Sequence, residues 1–520
     1  MLNPATVQNI VDLMAKSISL RQENRYEDAL RCLDEALKID PNFFPVLVQR
    51  GIVLDELARY DEAVESFDRF LKFINLPHVH QLREKSLLNA IADCERILAK
   101  NPEDVDALLK KGDILQWLHR YYDAVESYNR VLEIEAENID ALNRRGNAFL
   151  ELDRHEDALE SYDRALKIAP HKTVLSFNRG NVLRQLGRLD EALEAYGRAL
   201  SYKPGLAEAV MEQSHCNLTM GNFRPGWRQY ESRWQTDPLK GKKFNSHVPL
   251  WLGEEQLCGK TILLWAEQGF GDAIQFLRYV PLVAQMAGHV IVRVSAVLKS
   301  LTGTLQCPVS IVTPREPLPF HDFQCPLMSL PLAFGTTLES IPADIPYLGA
   351  DFDMTEKWQK LLGPRDKPRI GIVWAGRQHE PLNRTRDIPL EALQPLVDMG
   401  VEIISLQKQI PEKDRQVLES MPHVRNLGET LVDFADTAAL IENLDMVVST
   451  DTAVAHLAGA LGKPVWIMLR YSGEWRWLRD RSDSPWYPTA RIFRQKVHGD
   501  WAGVVGEITR QLQSKLGGEW

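Results

Sequence analysis

The sequence predicts an α-helical solenoid followed by an α/β unit whose two lobes face each other across a cleft. Three observations carry this. In the first half, small residues and tyrosine recur every 34 residues: Gly112, Gly146 and Gly180; Ala124, Ala158 and Ala192; Tyr128, Tyr162 and Tyr196. A fixed period of that size marks stacked two-helix repeats. The second half alternates short β-branched runs with Gly-containing turns and helical stretches, the grammar of parallel α/β sheets. That grammar starts at Thr261 and starts again at Arg369, with Pro364, Asp366, Lys367 and Pro368 between them as a hinge.

At 520 residues the chain holds several domains, each large enough for its own core. A net charge of −10 argues against a general nucleic-acid or acidic-membrane binder, while leaving room for a local basic pocket. The six cysteines are scattered, with no Cys-x-x-Cys pair. They read as reduced thiols of a cytoplasmic protein, not as a disulfide frame or a zinc site. No secretory leader and no membrane-spanning run is visible. The expectation is a protein with no metal and no resident cofactor.

In the repeat array, the small residues suit two helices crossing closely. The tyrosine suits the groove between units, and Pro170 and Pro204 end second helices. Ser17 and Gly51 keep the same register earlier, with Ala29, Ala63 and Pro41 in support. A shortened, degenerate unit is expected around residues 90–102. A divergent cap containing Phe223, Trp227 and Tyr230 is expected to join the array to the α/β unit. The pattern resembles the tetratricopeptide repeat. That resemblance implies a concave surface for an extended peptide or protein partner, with Asn143, Asn147, Asn178 and Asn181 as candidate lining. A rigid spacer or a dimerisation arm fits the same pattern. The domain boundaries read as residues 1–240 for the array, 241–260 for a linker, 261–365 for the first lobe and 366–520 for the second.

The first lobe opens with a buried strand at residues 261–266, a turn containing Gly269 and Gly271, and a helix from residue 273. Strand, Gly turn and helix recur in Rossmann-like halves, but the chain runs on to Gln275 and Phe276 without the third small residue of a dinucleotide fingerprint. An NAD site is therefore not expected. Asp272 sits where a strand's carboxyl end meets a helix start. It suits helix capping and it suits ligand chemistry.

The second lobe repeats the pattern. A strand at residues 369–374 runs into Gly376, Arg377 and a basic loop carrying Arg384 and Arg386. The strand at residues 401–406 ends at Lys408. A third strand opens at Val447-Val448 and turns through Ser449, Thr450, Asp451 and Thr452 into a helix of small residues including Ala453 and His456. A helix start offers free N–H groups and partial positive charge to an anion. An ordinary capped helix fits that local pattern as well. The cations at the strand ends suit a diphosphate, through the planar donor fork of arginine.

The two lobes resemble a GT-B glycosyltransferase, most similar to the heptosyltransferase group, glycosyltransferase family 9. The residues that carry this are Asp451-Thr452-Ala453-x-x-His456-Leu457-x-x-Ala460-Leu461-Gly462-Lys463-Pro464 and Gly269-x-Gly271-Asp272. Repeats ahead of such a unit also resemble the architecture of protein O-GlcNAc transferases. The resemblance implies an inverting, metal-independent transfer from a nucleotide sugar, with Asp272 as base toward the acceptor hydroxyl. It places Asp451, Thr452, Ala453 and His456 at the donor diphosphate, and Trp374, Gly376 and the segment Trp475-Arg476-Trp477 near the donor. The family's lysine falls on Arg386 here, which keeps the charge and changes the geometry. A different class also fits the chain: a repeat scaffold whose transferase unit has lost its activity. Asp351 and Asp353 mimic a metal-binding Asp-x-Asp pair but lie between the lobes, and read as linker residues.

Overall fold

The computed structural model describes residues 3–516 except 238, 242, 245, 246 and 377–385. Tight packing divides the chain into two compact units, Met1–Val182 and Leu183–Trp520, and the division falls inside the helix Thr173–Gln185.

The first unit is built of antiparallel helix pairs, such as Val105–Trp117 with Tyr121–Ile134 and Ile139–Glu151 with His155–Ile168. Side-chain caps start the first helices: Asp104 accepts from the Ala107 N–H and Asn138 from the Ala141 N–H, both at 2.9 Å. In these two pairs the tyrosine ring of the second helix lies directly over the glycine of its own first helix. A Cβ at Gly112 would stand 2.4 Å from the Tyr128 ring, and one at Gly146 would stand 2.7 Å from that of Tyr162. The period-34 pairing of Gly and Tyr is therefore one steric unit, and Phe67 over Gly51 is its phenylalanine version. The degenerate unit expected at residues 90–102 is instead the end of one long helix, Pro77–Lys100. No glycine or proline interrupts that helix after its first residue, so nothing in the sequence forces a turn.

The second unit begins with the last helices of the array, Leu189–Tyr202, Ala207–Thr219 and Phe223–Tyr230. The divergent cap is fused to the α/β region by aromatic packing. Trp227 meets Trp475 edge-on at 5.2 Å, and Phe223 stacks on Trp486 at 5.9 Å. The segment read as a linker also packs inward: Trp251 is buried, and its backbone N–H donates to the Gln324 carbonyl at 2.8 Å.

Two parallel sheets complete this unit. The first lobe holds β1 (Thr261–Trp265), β2 (His289–Arg293), β3 (Ser310–Val312) and β4 (Phe323–Pro326), in the order β3-β2-β1-β4. The second holds β5 (Arg369–Val373), β6 (Glu402–Ser405), β7 (Val424–Asn426), β8 (Met446–Thr450), β9 (Val465–Leu469) and β10 (Ala490–Arg494), in the order β10-β9-β8-β5-β6-β7. β5, β8 and β9 are buried along their whole length, as apolar runs in a parallel sheet require. Between the lobes, Asp351 caps the helix Phe352–Leu362 by accepting from the Met354 N–H at 2.9 Å, which gives the Asp-x-Asp pair a structural task. One hydrophobic core runs from the cap through the first lobe into one face of the second. No helix among the described residues is long and apolar enough to cross a membrane.

The Gly–Tyr packing gives a stability test. Gly112→Leu should destabilise the protein by about 1–3 kcal/mol through overpacking against Tyr128. Gly205→Ala, where a Cβ meets no atom within 4 Å, should stay within about 0.5 kcal/mol of wild type. Urea unfolding of both variants measures the difference.

Candidate active site

β1 ends at Trp265, and the chain turns through residues 266–269 into the helix Phe270–Phe276. The Gly269 N–H donates to Asp272 Oδ2 at 2.9 Å, so Asp272 caps the helix that carries it. Its other oxygen, Oδ1, forms an ion pair with Arg476 of the second lobe. Capping and interlobe contact thus use one oxygen each.

β8 feeds the helix Ala453–Ala460 on the opposite side. Thr452 does not cap this helix. Its hydroxyl lies 3.0 Å from the Ser449 hydroxyl, and the helix start has no side-chain cap. Gly271 lets the two helix starts meet. A Cβ there would come within 3.0 Å of His456 Cδ2 and 3.4 Å of Ala453 Cα. The carboxyl ends of both sheets therefore converge on one place, with Asp272, Arg476, Ala453 and His456 around it.

The charges there are set by burial. The Arg476 guanidinium is buried, stacks 4.1 Å from the Trp475 ring centre, and donates to Glu474 at 2.6 Å. Burial works against its charge, but Glu474 and Asp272 outweigh it and hold the guanidinium above its ordinary value. His456 is buried, stacks on Trp477 at 5.2 Å, and places Nδ1 3.1 Å from the Tyr487 hydroxyl. Burial, and then the nearby Arg476 charge, push it down to about 3. It is a neutral ring at working pH, a hydrogen-bonding group and not a cation. Asp451 Oδ1 lies 3.7 Å from His456 Nε2.

The remaining candidates divide. Gly376 N–H donates to Asp387 Oδ1 at 2.7 Å, which anchors the chain next to Arg386. Lys408 donates to the carbonyls of Leu431 and Val432, so it braces the loop ahead of the helix Phe434–Glu442. Trp374 is a correction. It is fully buried in the second lobe's core and donates to Asp414 Oδ2 at 2.9 Å, so its side chain is structural and does not line a donor site. Trp475 and Trp477 are likewise buried, and only Arg476 of that segment carries charge to the site. Arg377 and Arg384 lie outside the described residues.

Two residues at this place were not singled out from sequence. Arg470 directly follows β9, the strand-end position that flagged the other cations. Burial lowers its guanidinium, Arg184 and Arg386 add repulsion, and Glu474 and Asp451 oppose them. Glu267, just past β1, is buried and accepts from Arg233 at 3.1 Å. Burial pushes its carboxyl up to about 7 even against the Arg233 charge.

The architecture is an array of helix pairs followed by an α/β unit of two parallel-sheet lobes. Residues 12–43, 139–172 and 175–206 match models of the tetratricopeptide repeat. Residues 415–496 match the model of glycosyltransferase family 9 (heptosyltransferase), covering β7 to β10 and the Asp451–His456 turn. The chain is similar to Protein FlbA of Caulobacter vibrioides, 24% identical over 323 residues, 57% of this chain and 53% of that protein. It thus spans about half the length of that relative. Among solved structures it is similar to MamA, at 20% identity and a TM-score of 0.26, covering 40% of this chain and 98% of that one. It is also similar to a tetratricopeptide repeat protein from Parabacteroides merdae, at 16% identity and a TM-score of 0.28, covering 45% and 96%.

Glu267 gives a pH prediction. Its carboxyl is raised in the fold from an ordinary 4.5 to about 7. The stability it contributes is therefore full below pH 4.5 and lost as pH rises through 7. Glu267→Gln should flatten the fall in Tm over that window, and a Tm–pH series on both proteins checks it.

Proposed function

We propose that the chain is a cytoplasmic glycosyltransferase that moves a sugar from a nucleotide-sugar donor to an acceptor hydroxyl, with inversion and without a metal. The observation that supports this is the meeting of Asp272 on one lobe with an uncapped helix start and a buried arginine on the other. In this reading the Ala453 helix start, Arg476, Arg470 and Arg386 hold the donor diphosphate. Their fixed positive charge stabilises the leaving group as it departs with the electron pair of the broken bond. Asp272 takes the acceptor's proton while the acceptor oxygen bonds the anomeric carbon on the face opposite the diphosphate. Arg476 holds the Asp272 carboxylate in place before the donor arrives and shares its charge with the diphosphate once it is bound. Neutral His456 orients the helix start through Asp451 and Tyr487.

The hydroxyl is carried by a protein or peptide partner held by the repeat array. Support comes from a depression of about 390 Å³ lined by Asp106, Lys110, Asp113, Trp117, Asp140 and Arg144 on consecutive first helices. Nearby, Asn178 Nδ2 donates to Asn143 Oδ1 at 3.1 Å and to Asn147 Oδ1 at 3.4 Å.

One observation favours a scaffold with an inactive transferase unit: both Asp272 oxygens are already engaged. Thermal shift with ADP-, UDP- and GDP-sugars separates the two readings. The enzyme reading expects a clear rise in Tm with one nucleotide class, by mass action. No rise with any of them favours the scaffold. With the responding donor, Asp272→Asn should lower turnover by at least about 100-fold and leave the thermal shift in place. Unchanged turnover would remove Asp272 from the chemistry.

A further inference from the structure

Tyr487 holds the helix Ala453–Ala460 at two points. Its ring lies against the helix at Gly459, where a Cβ would stand 2.4 Å from Tyr487 Cδ1. Its hydroxyl lies 3.1 Å from Nδ1 of His456, one turn nearer the helix start. Tyr487 is itself held from the first lobe. Arg278, two residues past the Asp272 helix, sets its guanidinium carbon 4.5 Å from the Tyr487 ring centre. That guanidinium is locked in place. It donates to the carbonyls of Gln275, Pro342 and Trp486 at 2.8, 3.1 and 2.6 Å, and to the Tyr347 hydroxyl at 3.2 Å.

The protons of this buried cluster can be placed. Tyr347 spends its proton on the Ile274 carbonyl, 3.0 Å away, which can only accept. Burial, and then the neighbouring Tyr347, hold the Tyr487 hydroxyl well above its ordinary value, so it keeps its proton. The neutral His456 ring carries one N–H and one lone pair. Beside Nδ1 stands the Tyr487 hydroxyl, able to donate or to accept. Beside Nε2 stands Asp451 Oδ1 at 3.7 Å, too long for a hydrogen bond but close enough to favour an N–H over a lone pair. A proton on Nε2 satisfies both sides, because Tyr487 then donates to Nδ1. A proton on Nδ1 would set a lone pair against the carboxylate. The Cδ2–Nε2 edge of the ring also faces the first lobe, since a Cβ at Gly271 would stand 3.0 Å from His456 Cδ2. The N–H therefore lies on the side where the two lobes meet.

We infer that Tyr487 is a positioning residue of the donor site: its hydroxyl fixes His456 as the tautomer with its proton on Nε2, and its ring holds the helix that carries it. The inference rests on the glycosyltransferase reading above, because the donor diphosphate is what uses that N–H. Tyr487 acts through His456. It delivers a hydrogen-bond donor to the helix start beside Arg476, where a lone pair would repel a phosphate oxygen. Arg278 makes this arrangement depend on the first lobe as well as the second.

Long-range ¹H–¹⁵N correlation spectra of the full chain, labelled with ¹⁵N-histidine, read the tautomer directly, and His456→Gln marks its signals. Wild type should show a protonated Nε2 and a lone pair on Nδ1. Tyr487→Phe keeps the ring on Gly459 and should shift the Nδ1 signal, because the hydrogen bond it accepts is gone. Isothermal titration with inorganic pyrophosphate reads the consequence, and Tyr487→Phe should bind it at least about fivefold more weakly than wild type. Tyr347→Phe removes a hydroxyl of the same core that bonds Arg278 and Ile274, and should leave both readouts as in wild type. A wild-type proton on Nδ1, an Nδ1 signal unmoved in Tyr487→Phe, a pyrophosphate affinity absent or unchanged, or an equal loss in Tyr347→Phe overturns the inference. Thermal shift with nucleotide sugars keeps the two claims apart. A nucleotide-sugar response of the same size in wild type and Tyr487→Phe removes only the role of Tyr487. The expected spectra and pyrophosphate loss without any nucleotide-sugar response remove the transferase reading and leave Tyr487 as the positioning residue of an anion site.

Discussion

The ion pair between Asp272 and Arg476 is the interaction on which the α/β unit turns. Each partner is fixed from its own side before they meet. Asp272 is held by the Gly269 N–H at the head of a helix, and Arg476 by Glu474 and the face of Trp475. A guanidinium taken out of water costs several kcal/mol unless its donors are matched. Glu474 and Asp272 together meet that cost for Arg476. The carboxylate of one lobe and the cation of the other are therefore positioned by opposing structural needs.

The surrounding packing makes the pair rigid. Gly271 brings the two helix starts together, and a second buried arginine, Arg278, crosses the same boundary to donate to the Trp486 carbonyl at 2.6 Å. Trp227 of the repeat cap packs against both Trp475 and Trp486. The end of the repeat array thus belongs physically to the site: it buttresses the tryptophan on which Arg476 stacks. Arg233, from the short 3-10 turn after the cap, reaches Glu267 just past β1 and ties the same array to the end of that strand. A change in how the cap sits would be felt at Arg476 and at Glu267 together.

Much of this was legible in the sequence, for physical reasons that differ by element. The repeats announce themselves because one steric unit, a ring over a glycine, recurs at a fixed spacing along the array. The strands of the second lobe are legible because a parallel sheet buried on both faces tolerates little but apolar side chains. Asp272 and the Asp451–His456 turn were found by the rule that ligands sit at strand carboxyl ends, and the same rule would have found Arg470. Trp374 misled because a tryptophan at a strand end looks the same in sequence whether its ring faces a ligand or the core, and here Asp414 satisfies its N–H inside. The roles of Arg476 and Glu267 depend on partners 204 and 34 residues away in the chain, Asp272 and Arg233, and no local pattern carries such information.

The central claim is that Asp272 and Arg476 are energetically coupled across the two lobes. A double-mutant cycle with Asp272→Asn, Arg476→Gln and the double variant, read by urea unfolding, measures it most directly. The account predicts a coupling energy of about 1–3 kcal/mol, the double variant losing less than the sum of the single changes. Additive losses within about 0.3 kcal/mol would mean that the two side chains do not meet, and the assembly of the site from both lobes would be contradicted.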